Sequence, residues 1–428
     1  MSRVLWLSDG GCTTGFGRVT HEVGERLVRD YGHEIHVLAT NHKGDDYRSV
    51  LDPSQKTPLW LYRPDTIKGG DTYGRFRIVE MLGKVAPEVT FFLNDPQLII
   101  RTLYDNPADP RQYLRQFAPM LFYLPCDGYN LPPQWTEYLP KLGKVITMSN
   151  FGKAQYEGAK TVYHGVDPDR FWPVEEKPIT TSTGDVLRSK RDCKRYFELD
   201  PTGFLILRVD SNSGRKDYAS LINALVPVIK RHQDIQVWLH CDPYLGTAST
   251  NLPALITRYG DQLMERFRFP NNYDVGNGWP DQDLNALYNA ADLFVSTSRG
   301  EGFGLTLAEA AMTALPVVAQ NVSSIPEVVG PGAKLLEPDR YLTIPSGEDV
   351  CLSDVEAFSE AIEELHQSSG ARRSLGEAGR KHVVESFSWD YAAKMFDEFI
   401  TELAVRERPA QTMSIKERAD GSERVEDA

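Results

Sequence analysis

Leu293-Phe294-Val295-Ser296-Thr297-Ser298-Arg299-Gly300-Glu301-Gly302-Phe303-Gly304-Leu305-Thr306-Leu307-Ala308-Glu309-Ala310-Ala311 reads as a strand, a tight turn and a helix in direct succession. The apolar run ends in three glycines, which let the backbone approach a ligand closely and take positive φ. Leu305 onward consists of good helix formers. The unpaired amides at such a helix start carry partial positive charge, which suits phosphate. Glu301 precedes the turn and Glu309 falls about one turn into the helix, so both carboxylates can flank one ligand. A diphosphate alone would be repelled by them. A nucleotide sugar offers hydroxyls on either side of its diphosphate and satisfies both features.

Outward from this block, short β-rich runs alternate with longer amphipathic stretches, the pattern of parallel βαβ units. In the first half the runs are 4–7, 35–38, 59–62, 89–93, 120–124, 145–148 and 161–163, with a crossover helix expected over 19–28. The second series is 204–209, 236–240, 267–269, 293–296, 316–319 and 334–336. Between the series, residues 165–200 carry Pro168, Pro173, Pro178 and a Thr/Ser/Gly cluster, which marks an interdomain linker. From 354 to 405 the sequence reads as helical, and after Pro409 it is polar and aperiodic, as in a disordered tail. Two doubly wound α/β sheets facing each other leave a cleft at their strand carboxyl ends, where such folds bind ligands.

Length and composition fit this reading. The chain has 428 residues, enough for two or three domains. No apolar run approaches the roughly eighteen residues of a membrane span, and the brief apolar start before Asp9 reads as a first strand, not a secretory signal. Cys12, Cys126, Cys193, Cys241 and Cys351 are scattered, with no C-x-x-C spacing, which fits a cytoplasmic protein without a disulfide framework. A formal charge of −13 opposes broad attraction to nucleic acid.

The motif residues resemble those of a known family. Glu301 and Glu309, with seven residues between them, match the E-x7-E motif of the family-four retaining glycosyltransferases, which have the GT-B fold. Pro316-Val317-Val318-Ala319 and Ile325-Pro326-Glu327-Val328-Val329 continue the resemblance. So do Thr14-Gly15-Phe16-Gly17, similar to the family's N-terminal glycine loop, His164-Gly165-Val166-Asp167, and Phe387-Ser388-Trp389. The resemblance implies a GT-B architecture: an acceptor-side domain over 1–175, a linker over 176–200 and a nucleotide-sugar domain over 201–385. A helix over 386–408 then crosses back to the first domain, and 409–428 is a tail.

It further implies transfer of a sugar from a nucleotide diphosphate sugar, with retained configuration, no metal and no cofactor beyond the donor. Glu301 would lie near the donor sugar and Glu309 at the ribose. Gly15, Phe16, Gly17, Gly302, Phe303, Gly304, Leu305 and Thr306 would surround the donor. Arg215 and Lys216 would neutralise the leaving diphosphate, although Ser211 stands where many relatives carry a further arginine. Read without the resemblance, the same pair is an ordinary basic surface patch. Asp127, just beyond the run 120–124, is either a sugar-binding or catalytic group or a turn aspartate capping an amide.

The acceptor stays open among glycan, lipid, protein and modified DNA. Loops 41–53 and 69–73 are the places expected to choose it, and the loop 269–283 is expected to meet the donor base. One alternative is a transferase acting on modified DNA or a phage structural protein; a DNA acceptor would use a basic stripe of Arg188, Lys190, Arg191, Lys194 and Arg195, for which a solvated linker-helix face is the plainer account. A non-catalytic nucleotide-sugar-binding subunit is the other alternative. Of the two D-x-D triplets, Asp167–Asp169 ends the G-V-D segment and Asp281–Asp283 reads as helix N-capping, so neither points to a metal. The nine histidines show no paired zinc-ligand spacing.

Overall fold

The computed structural model describes residues 1–42, 45–48, 59–64, 71, 73–104, 117, 119–244, 250–271, 273 and 278–406. Loops 41–53, 69–73 and 269–283 therefore lie partly outside the described residues, and the segment 409–428 lies wholly outside them.

The first sheet comprises β1 (Arg3–Asp9), β2 (Glu34–Thr40), β3 (Tyr47–Arg48), β4 (Trp60–Tyr62), β5 (Val89–Leu93), β6 (Met120–Leu124), β7 (Lys144–Thr147) and β8 (Lys160–Thr161). Its order is β3-β4-β2-β1-β5-β6-β7-β8, parallel apart from the β3–β4 pair. Val4, Leu5, Trp6 and Leu7 are all buried, so both faces of β1 are covered, as a central parallel strand requires. The second sheet has β11 (Phe204–Val209), β12 (Ile235–His240), β13 (Phe267–Arg268), β14 (Leu293–Ser296), β15 (Val317–Gln320) and β16 (Ala333–Leu336). Its order is β13-β12-β11-β14-β15-β16, entirely parallel. Each sheet reverses its winding next to its first strand, and the cleft lies there.

Three sequence expectations change. The last strand of the first sheet ends at Thr161, not Tyr163, because Tyr163 turns its hydroxyl away to Glu327. The expected helix over 19–28 is α1, and it spans Gly15–Arg29. Gly15, Phe16 and Gly17 are thus the first helical turn instead of a loop. Thr14 explains the earlier start: its hydroxyl donates to Asp9 Oδ2 at 2.6 Å and accepts from the Gly17 amide at 3.1 Å. Lastly, 176–200 is not bare chain. It holds a hairpin, β9 (Ile179–Thr180) with β10 (Val186–Leu187), and a helix, Lys190–Tyr196, which packs on helix Asp281–Ala290 of the second sheet's layer. A second hairpin, β17 (Arg340–Thr343) with β18 (Asp349–Leu352), was not legible either.

The final helix, Trp389–Arg406, lies across α1, with Arg26 Nε 2.7 Å from Asp390 Oδ1, His33 Nε2 2.8 Å from Asp397 Oδ1, and Lys144 paired to Glu402. The chain therefore passes twice between the sheets. The two crossings touch: Val166 N donates to Phe387 O, and the His164 ring stacks on Trp389.

The two halves are closed on each other. Glu327 accepts from the amides of Asn150 (2.8 Å) and Phe151 (2.7 Å), the free N–H groups of a short helix in the first half. Tyr129 and Asp349 exchange two backbone hydrogen bonds of 2.8 Å, a strand-like pair between a first-half turn and β18. Gly300 is the tightest point, where a Cβ would stand 1.7 Å from the Asp127 carbonyl oxygen. Gly300→Ala must therefore open the cleft or displace that carbonyl. Overpacking costs about 1–3 kcal/mol, so the closed population is expected to fall roughly 5- to 150-fold relative to the open one. An increased radius of gyration in small-angle X-ray scattering, with unchanged far-UV circular dichroism, checks this.

Candidate active site

Gly304 starts the helix α7 (Leu305–Met312) at φ 99°, a left-handed conformation open to glycine at little cost. The preceding turn is held by side-chain hydroxyls. Ser323 Oγ accepts from Glu301 N at 2.8 Å, and Ser324 Oγ donates to the carbonyls of Glu301 and Phe303. Phe303 is buried against His164 and Phe387, so the turn is anchored to both interdomain crossings. The amides at the start of α7 are left facing a cavity of about 1050 Å³ between the two halves.

That cavity gathers every residue expected from the sequence. Gly15, Phe16, Gly17 and Asp127 come from the first half, and Arg215, Lys216, Glu301, Gly302, Phe303, Gly304, Leu305, Thr306 and Glu309 from the second. The two glutamates differ sharply. Glu301 is saturated: Oε1 accepts from Lys216 Nζ at 2.6 Å and from Ser298 Oγ at 2.5 Å, and Oε2 accepts from Arg215 Nη1 at 2.9 Å. Burial pushes its carboxyl up, but the charges of Arg215 and Lys216 outweigh that and hold it well below the usual range. Glu309 has only the Tyr288 hydroxyl at 2.9 Å and, at 3.8 Å, the Arg18 guanidinium. Burial dominates there and lifts the carboxyl to about 7, against the opposing pull of Arg18.

Lys216 is also buried, with Asp210 Oδ1 2.8 Å from its ammonium. Arg215 is a third exposed to the cavity and reaches across it, its Nε 3.2 Å from Asp127 Oδ2. The pair is thus no loose surface patch. Asp127 takes the Gly302 amide of the second half as well as Arg215; burial raises its carboxyl, and Arg215 draws it down again.

Sequence reasoning missed several wall residues. Asp95 follows β5, and burial together with the Asp127 charge lifts it to about 6. Arg18, one turn into α1, donates to Asp281 Oδ1 at 2.6 Å and so ties the first half to the far wall. His240, Tyr273 and Trp279 form an aromatic corner, with His240 4.5 Å from Trp279 and edge-on to it. Burial lowers the His240 imidazole to about 4, so it is neutral. Asp95 and His240 stand at the carboxyl ends of β5 and β12, and that positional rule would have found them.

Two further expectations need correction. Asp281 and Asp283 do not cap their helix, since Pro280 occupies the cap position. Asp281 instead binds Arg18 and Arg170, and Asp283 accepts from Ser182 N and its hydroxyl. The basic run is not a continuous stripe, and the solvated face expected for it holds for three of its five residues. Lys194 is buried on Asp292 and the Gly203 carbonyl, Lys190 also reaches Asp292, and only Arg188, Arg191 and Arg195 remain exposed. Among the described residues no helix is long and apolar enough to cross a membrane.

Comparison with known proteins agrees with this geometry. Residues 204–368 match the family model described as glycosyl transferases group 1. The O-antigen chain mannosyltransferase B of Escherichia coli is 30% identical over 39% of this chain and 46% of its own length. A GDP-mannose-dependent monoacylated α-(1-6)-phosphatidylinositol monomannoside mannosyltransferase of Corynebacterium glutamicum is 27% identical over 61% of this chain and 64% of its own. The chain spans about half the length of the curated relatives it matches. In overall structure it is similar to sucrose-phosphate synthase from Thermosynechococcus elongatus, with a TM-score of 0.69 at 18% identity, covering 95% of this chain and all of that one. A glycosyltransferase from Rickettsia africae gives 0.65 at 17%, covering 94% and 98%. With its E-x7-E turn inside the matched region and two facing doubly wound sheets around it, this chain has the GT-B fold and is similar over residues 204–368 to glycosyl transferases group 1.

Proposed function

We propose that the protein transfers a sugar from a nucleotide diphosphate sugar to an acceptor hydroxyl, with retained configuration and without a metal ion. The observation that carries this is the paired cations Arg215 and Lys216, locked on Glu301 and set across from the free amides of α7 in one closed cavity. A diphosphate seated there meets positive charge on both sides, and departure of its β-phosphate oxygen is stabilised by groups already in place. The base and ribose extend toward His240, Trp279 and Glu309, whose carboxylate accepts from the ribose hydroxyls. The sugar lies between Glu301 and the first-half wall at Asp95 and Asp127. An acceptor hydroxyl entering from that wall attacks on the face the diphosphate leaves, and its proton passes to the departing phosphate oxygen. Closure excludes water and limits donor hydrolysis. In this reading Arg215, Lys216 and the helix amides, not a resident cation, are the groups that face the diphosphate.

The two relatives named above are both mannosyltransferases, which favours a mannosyl donor. Thermal unfolding with a panel of nucleotide diphosphates and nucleotide sugars, with and without EDTA, tests the reading. GDP-mannose heads the panel. A ligand at a hundred times its dissociation constant stabilises by about 2.7 kcal/mol. The expected result is a shift selective for one base and indifferent to EDTA, followed by product of retained configuration when an acceptor is supplied. No shift with any member, or one abolished by EDTA, overturns the proposal.

A further inference from the structure

The second half holds a cluster of metal-binding side chains that the cleft does not use. His232 follows helix α5 (Tyr218–Arg231), Asp234 precedes β12, and Glu363 and His366 stand on the last turns of α8 (Val355–Gln367). His232, Asp234 and His366 each present a ligand atom, and these atoms lie within 4.8 Å of one another. Glu363 stands beside this group of three, its Oε1 2.5 Å from His232 Nε2. The imidazole rings face each other with centroids 4.3 Å apart, and His366 Nε2 lies 3.0 Å from Asp234 Oδ2. The other His366 nitrogen, Nδ1, is buried and has no hydrogen-bond partner among the described residues.

We propose that His232, Asp234, Glu363 and His366 form a site for a divalent transition-metal ion, zinc foremost, that staples α8 to the turn between α5 and β12. Two imidazole nitrogens with two carboxylate oxygens are a donor set that zinc accepts in tetrahedral geometry. Two ligands of one zinc stand at most about 4 Å apart, so small side-chain rotations close the cluster on an ion. The charge also suits a cation. Arg231 Nη2, 2.8 Å from Glu363 Oε2, offsets one of the two carboxylates, and Asp234 has no arginine or lysine partner among the described residues. An ion between the two facing imidazoles and Asp234 would take lone pairs from all three. The site is distinct from the cleft: Asp234 and His240 bracket β12, and six residues of strand span roughly 20 Å. Its role is therefore mechanical, holding the last turn of α8 against the sheet, and the proposal does not depend on the reaction at the cleft.

Isothermal titration of the full-length, EDTA-stripped chain with zinc chloride tests it, with cobalt(II) absorption reporting geometry. One zinc per chain is expected, with visible cobalt bands of four-coordinate type and a thermal midpoint that rises on zinc addition. His232→Ala and His366→Ala should each weaken zinc by more than about tenfold, since even an outer partner's loss costs that much. Asp234→Asn, at a half-exposed position where the change cannot threaten folding, should weaken it in the same direction. Absence of stoichiometric binding, or zinc held as tightly by the variants as by the parent, overturns the site.

Discussion

Lys216→Ala is expected to lower turnover by about 10²- to 10³-fold and, separately, to destabilise the fold. The first figure is the loss seen when one preorganised charge donor is removed from a developing anion. The second follows from burial. Lys216 is enclosed and stands between Asp210 and Glu301, at 2.8 and 2.6 Å. Removing it strands two buried carboxylates against the remaining Arg208 and Arg215, and breaking such a pair costs about 3–5 kcal/mol. The two losses can be separated. Adding Glu301→Gln to Lys216→Ala removes one stranded charge, so unfolding in urea should recover part of the stability. Single-turnover transfer should not recover, because the cation that faces the leaving phosphate is still missing. Recovery of both together would mean that Lys216 serves folding alone.

Glu309→Gln is expected to make the protein more stable at pH 8 and a weaker donor binder. Burial lifts the Glu309 carboxyl from 4.5 to about 7 in the folded chain, so between those values the native state holds a proton that the unfolded state has lost. Stability due to this group is intact below pH 4.5 and declines as pH rises through 7. The neutral glutamine escapes that cost. Its advantage should be near zero at pH 4.5 and reach up to roughly 3 kcal/mol at pH 8, less what Arg18 loses as a partner. Donor affinity should move the opposite way. The ionised Glu309 accepts hydroxyls, so parent affinity rises with pH through about 7, whereas the variant binds about ten- to a hundredfold more weakly at pH 8, without that rise. Urea titrations and donor titrations at pH 5 and 8 measure both.

What the sequence revealed of this molecule was what is local in the chain. The turn at Gly300–Gly304 and the first turn of α7 are contiguous, so their glycines, their carboxylates and their shared ligand were readable together. The buried parallel strands were readable because both faces are apolar, as in Val4–Leu7. The hairpins at Ile179–Leu187 and Arg340–Leu352 were not, because their strands are two to four residues long and largely exposed, too short to establish a period of two. Arg18 looked like any helix-surface arginine until the fold set it against Asp281 and Glu309. His232 and His366 escaped for the same reason: zinc-ligand spacing is a test of neighbours in sequence, and these two meet only because α5 and α8 pack side by side. Lys194 carried the opposite error, since its charge looked solvated while its stem and ammonium were committed to Asp292.

The reciprocal pair between Tyr129 and Asp349 is expected to work as a clasp between the two halves. Two backbone hydrogen bonds that share one short stretch break together, so the jaws part in a single step and do not peel. Glu327, gripping two amides and the Tyr163 hydroxyl on the same side, adds to the height of that step. Loosening the clasp is therefore expected to shorten the time that a bound nucleotide is held. Under the proposed function, such a clasp makes the escape of spent nucleotide the expected slow step of each cycle.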